Sequence, residues 1–142
     1  MRTYLIIFCC LASAALAHTG VKDPDVKARM DLMTQSGPEL KVLSDMARGL
    51  VLFDANAAEN ARGALQDQAV AMPTAFLKPA DDPKSEARRL IWDDWDGFLA
   101  KAKAMEAAAT TPIATLDDLR ASLGSIGKTC SACHEVYRLE GD

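Results

Sequence analysis

TLDDLRASLGSIGKTCSACHEVYR, residues 115–138, reads as one long helix. Leu116, Leu119, Leu123, Ile126, Cys130, Cys133 and Tyr137 recur at alternating spacings of three and four, so they share a face and form a single apolar stripe. Thr115 can cap the first turn, and Asp118 three residues later completes a capping box. A stripe of this kind belongs against the apolar faces of other helices.

Three further stretches carry apolar residues at helical spacing, while β-branched alternation is absent and alanine is abundant. The first runs from about Asp23 to Arg48, with Val26, Met30, Met33, Leu40, Leu43, Ala47 and Leu50 near one face and Gly49 available to end it. Gly37-Pro38 interrupts it: Pro38 cannot donate to the Thr34 carbonyl, so a kink is expected, with Ser36 and Glu39 offering a local recapping. The second, from about Asn56 to Ala71, is alanine-rich and is expected to end before Met72-Pro73, because proline disfavours helix in the preceding residue. The third is expected to open near Asp82-Pro83, carries Ile91, Trp95, Phe98, Ala102, Met105 and Ala109, and stops around Thr110-Thr111-Pro112. Short turns and one longer link at residues 72–83 join the four helices. The expected class is all-α, an antiparallel up-down-up-down four-helix bundle, with no internal repeat and no low-complexity tract.

The first residues read as an export signal. Arg2 gives a positive start, Tyr4 to Leu11 an apolar core, and Ala15-Leu16-Ala17 the small-x-small pattern for cleavage after Ala17. The apolar run is well short of the roughly 20 residues that span a bilayer, so no membrane anchor is expected. A lipoprotein is the rival, since Cys9 and Cys10 sit near the start, but the residues before them lack the small pair that lipoprotein processing prefers. Residues 1–17 are then the signal peptide and residues 18–142 one domain, large enough for a core of its own. Losing Arg2 with the leader leaves 15 basic side chains against 20 acidic ones, a net charge of −5 with histidines neutral. That disfavours nucleic acid and suits a soluble exported domain that meets basic partner surfaces.

Of four cysteines only Cys130 and Cys133 survive cleavage, and with His134 they spell the Cys-x-x-Cys-His sequence of covalent haem attachment. On a helix, positions i, i+3 and i+4 share a face, so both thiols reach the two vinyl groups of one haem while the adjoining imidazole reaches its iron. An export signal agrees, because secretion delivers a compartment in which such thiols would otherwise pair. A redox-active disulfide, half of a zinc site and a chance match are the competing readings. A thioredoxin-like dithiol belongs at a helix start in an α/β pattern, and zinc would need ligands that a chain with no other mature cysteine and only His18 besides does not readily supply. One covalent haem c per chain is therefore expected, and because Cys130 and Cys133 continue the line of Leu119, Leu123 and Ile126, inside the bundle near one end.

A helical bundle with its attachment motif close to the C-terminus resembles the cytochrome c prime family, the class II c-type cytochromes. The resemblance covers residues 18–142 and is carried by Arg29-Met30-Asp31-Leu32-Met33, by Ile91-Trp92, and most specifically by Ile126-Gly127-Lys128-Thr129-Cys130 through Arg138. It implies that the first helix crosses the haem face opposite His134, that Arg29 lies near a propionate, and that Met33, four residues on, faces the iron. It also implies that Arg138, one turn after His134, lies on the proximal side, where the alternative is a solvated cation at the helix end. Trp92, Trp95 and Tyr137 are read as packing.

Two mechanisms remain. Low-spin relatives, called cytochromes c-556, bind iron through a methionine at the place of Met33, and the match around Leu32-Met33 and on to Gly49 is similar to those. A thioether there stabilises ferrous iron and makes a one-electron carrier, with His134 and Met33 as axial ligands and Met30 as the fallback. The alternative is a five-coordinate haem that binds nitric oxide or carbon monoxide in an apolar pocket with no distal histidine, where Met33 is only core filler. No catalytic role is assigned, since peroxidase chemistry wants a distal acid–base group that a second histidine would provide. The expected partners are redox proteins, with small gases under the second mechanism, the expected place is the periplasm, and the expected state is a monomer or homodimer.

Overall fold

A computed structural model describes residues 20–140, so the expected leader, its cleavage point and His18 lie outside the described residues. Helix α1 spans Pro24–Ala47. Asp23, extended in backbone, accepts the Val26 N–H at 2.9 Å, and proline at the first position needs no hydrogen-bond partner there. Gly49, at φ +71°, reverses the chain at the other end, so Leu50 leaves the helical face and stands 65% exposed instead of joining the stripe. The helix runs unbroken through Pro38.

Helix α2 spans Ala55–Ala75, with Asp54 accepting the Ala57 N–H at 3.0 Å. It passes the expected stop at Met72-Pro73. Proline in the last turn withholds one N–H, yet the bond from Phe76 N–H to the Met72 carbonyl at 3.0 Å still forms, and continuing the helix buries Phe76. Ser36, expected to recap α1, donates its hydroxyl to Gln68 Oε1 of α2 at 2.6 Å instead, a partly buried polar link across the two helices.

The third helix is not what the Asp82-Pro83 signal suggested. Helix begins only at Leu90 and comes in two pieces, a single turn α3 at Leu90–Asp93 and α4 at Trp95–Ala108. Asp82 is buried and caps no helix of its own: its carboxylate accepts the Lys84 N–H at 2.9 Å and the Lys22 N–H at 2.8 Å, which ties the start of α1 to this link. Helix α5 spans Leu116–Tyr137, with the Thr115–Asp118 capping box formed on both sides.

Helices α1 and α4 each pack on α2 and α5, closing a four-helix bundle in which α3 is a one-turn prelude to α4. The chain is all-α, as expected. Two clusters fill it. The larger is aliphatic, built on Leu43, Leu65, Ile113, Leu119 and Ile126. The smaller is aromatic, built on Phe76, Ile91, Phe98 and Tyr137, and sits at the end where α1 begins and α5 finishes. At that end Ala87 bridges Arg138, with Arg88 N–H donating to the Tyr137 carbonyl at 2.8 Å and Leu139 N–H to the Glu86 carbonyl at 2.7 Å. Among the described residues no helix is long and apolar enough to cross a membrane.

Candidate functional site

The last two turns of α5 carry Cys130, Cys133 and His134. Cys130 packs on the aliphatic cluster and Cys133 on the aromatic one. Met33, from α1, packs on both clusters, and among the described partly buried residues it alone does so. The two thiols are half-buried, not fully covered as the stripe suggested, and His134 is more open, covered only in part. Met30, one turn before Met33, is half-buried and stands outside both clusters' packing partners.

The thiols are not paired with each other. Burial pushes both above their ordinary range; for Cys133, Lys101 draws the value partly back. At neutral pH both are therefore protonated. Partial burial and the positive charge of Arg138 hold His134 below its ordinary value, against a smaller opposite effect of Glu86, which favours the neutral imidazole that a metal needs.

Arg29 is 2% exposed, the most deeply buried charge described. Its Nη2 donates to the Ala80 carbonyl at 2.8 Å, while Nε and Nη1 have no partner among the described residues. The rings of Trp92 and Phe76 lie against the guanidinium, with centroids 5.0 and 5.4 Å from Cζ. Burial lowers the arginine's pKa, with Asp23, Asp25 and Asp81 opposing that shift. A buried guanidinium with two idle donors wants an anion, so two free thiols, a neutral imidazole, a thioether and this arginine together suit an iron porphyrin with carboxylate arms.

Arg138 sits just past α5, half-exposed, in an ion pair with Glu86 at 2.5 Å. It is thus tied to the 82–89 link, and it acts on His134 through charge. Trp92 and Trp95 are partly buried packing residues, as read. Sequence reasoning missed Phe76, which carries no motif signal, Glu86, whose partner is 52 residues away, and Asp94 with Gly97. The Tyr137 hydroxyl donates to Asp94 Oδ2 at 2.6 Å, and Gly97 leaves the room for it: a Cβ there would collide with both groups.

Residues 25–138 match the family model described as Cytochrome C'. Cytochrome c-556 from Agrobacterium tumefaciens (strain apple 185) is 33% identical over 119 residues, covering 81% of this chain and 94% of that protein. The structure of cytochrome c' from Rhodobacter Spheriodes superposes with a TM-score of 0.75 at 30% identity, covering 82% of this chain and 96% of its own. A mutant of cytochrome c prime from Alcaligenes xylosoxidans, in its nitric oxide complex, gives a TM-score of 0.73 at 27% identity, covering 82% and 94%. Motif, bundle and relatives agree over the same residues, and the chain belongs to the cytochrome c' family, a helical bundle with one covalently attached haem c.

Proposed function

We infer that this chain is a periplasmic one-electron carrier. Cys130 and Cys133 would hold the haem, and His134 and Met33 would ligate its iron. The observation that supports this is that Met33 packs on both clusters, of which Cys130 packs on one and Cys133 on the other. When bound, haem c supplies a one-electron iron couple whose potential a thioether ligand raises. The chain's own residues do the rest. The helical spacing of Cys130 and Cys133 offers two thiols on one face, and their raised pKa values keep them protonated for addition to vinyl groups. Neutral His134 offers its ring nitrogen, and Arg29 offsets carboxylate charge in a buried place. With no acid–base pair proposed at the distal side, the chain is read as a carrier and not an enzyme. Redox proteins are its proposed partners.

Visible spectra of the exported protein, ferric and ferrous, with and without carbon monoxide and with Met33→Ala, test this. Sharp split low-spin bands that ignore the gas and collapse in the variant support the carrier. Broad high-spin bands that shift with gas, and that Met33→Ala leaves unchanged, sink it. That outcome is the second reading, a five-coordinate gas binder, which the likeness to a cytochrome c prime holding nitric oxide favours.

A further inference from the structure

We propose that Trp92 is a positioning residue that holds the Arg29 guanidinium in register for a haem carboxylate, and so tunes the potential of the iron. The inference rests on the haem assignment above and adds what keeps the arginine in place. Among the described residues Arg29 has one hydrogen bond, from Nη2 to Ala80, and one bond alone does not fix the orientation of a long side chain. Nothing charged is hydrogen-bonded to it. What constrains it is a pair of aromatic rings, with Trp92 the nearer at 5.0 Å.

Trp92 is itself fixed. Its Nε1–H donates to the Phe76 carbonyl at 2.7 Å, at the residue where α2 ends. Phe76 packs on Phe98 at 5.0 Å between centroids, and Phe98 meets Tyr137 of α5 edge-on at 5.6 Å. The guanidinium is therefore referred, through three rings and one hydrogen bond, to the same helix that bears the attachment motif. A quadrupole attracts the cation without taking up its N–H groups, which leaves Nε and Nη1 as the donors that a carboxylate can use. An ion-pair partner in the place of Trp92 would have consumed them.

A cation held near the haem favours the less positive ferrous state, so loosening it lowers the potential. The test is a double-mutant cycle in the exported holoprotein, with midpoint potential as the readout, over Trp92→Leu, Arg29→Gln and both together. Trp92→Leu is expected to shift the reduction equilibrium towards ferric by up to about tenfold, about 59 mV for one electron. The shift should vanish in the Arg29→Gln background, and Trp92→Phe, which keeps a ring, should restore most of it. A Trp92→Leu shift that is absent, or that adds in full to that of Arg29→Gln, overturns the proposal. No potential change in Arg29→Gln alone would instead remove the arginine–carboxylate assignment on which it builds. Should Trp92→Leu fail to fold, the unaltered holoprotein in its reduced state decides: the Arg29 Nε–H resonance is expected to be slow to exchange and shifted by ring currents. A freely exchanging, unshifted signal refutes the clamp.

Discussion

Tyr137 shows how a single hydroxyl is committed. Burial comes first, then the hydrogen bond to Asp94, and together they push its pKa up to about 12. Raised in the folded state, it contributes stability that is complete below the ordinary tyrosine range and is lost as pH rises through about 12. Because Tyr4 lies in the expected leader, an alkaline titration of the exported protein followed by phenolate absorbance should show one late transition, coincident with unfolding. Tyr137→Phe removes that transition and costs about 1 kcal/mol, since exposed Asp94 regains water. Gly97→Ala should cost more, about 1–3 kcal/mol by denaturant unfolding, because the new methyl group occupies the place of the bond itself. A Gly97→Ala protein as stable as the parent would contradict the close approach.

Among the elements, α5 was legible because everything that defines it is local: a cap at Thr115, its reciprocal partner three residues on, and a stripe that alternates three and four. Thr115→Ala should cost about 1 kcal/mol and lower the melting temperature by a few degrees in a thermal scan. The attachment motif was legible for the same reason. What escaped the sequence is held by distant partners. The Asp82-Pro83 pair has the composition of a helix start, but Asp82 spends its carboxylate on the N–H groups of Lys84, Lys22 and Asp23, and these bonds hold its pKa below the usual carboxylate range. The break at Asp94 follows from a carboxylate drawn to Tyr137, 43 residues away, and the strap from Glu86 to Arg88 pairs with a chain end some 50 residues later. Likewise Arg29 was placed by resemblance, while its ring neighbours Phe76 and Trp92 come from two other elements. Asp82 yields a pH prediction. A depressed value means that its contribution is complete above the ordinary carboxylate pKa, about 3.9, and is lost as pH falls through the folded value. Thermal melts of Asp82→Asn should therefore lie below the parent's at neutral pH and converge with them in acid. A constant gap at every pH would disprove the linkage.

For the molecule entire, covalent attachment predicts that haem stain stays with the chain on a denaturing gel and is lost from Cys130→Ala/Cys133→Ala. The same variant exposes a consequence of the seam between the aliphatic and aromatic clusters. Cys130 packs on one side of that seam and Cys133 on the other. On the proposed attachment a porphyrin bonded to both would act as a rivet, so the two halves of the core should open together or not at all. In the holoprotein, backbone amides of α3 and the first turns of α4 should exchange with deuterium only through global opening, at the rate of those in the middle of α2. Without the rivet the aromatic end should breathe separately, and its amides should exchange earlier than those of α2. Colour and cooperativity are then one property of this chain: bleaching it would turn a single unfolding event into two.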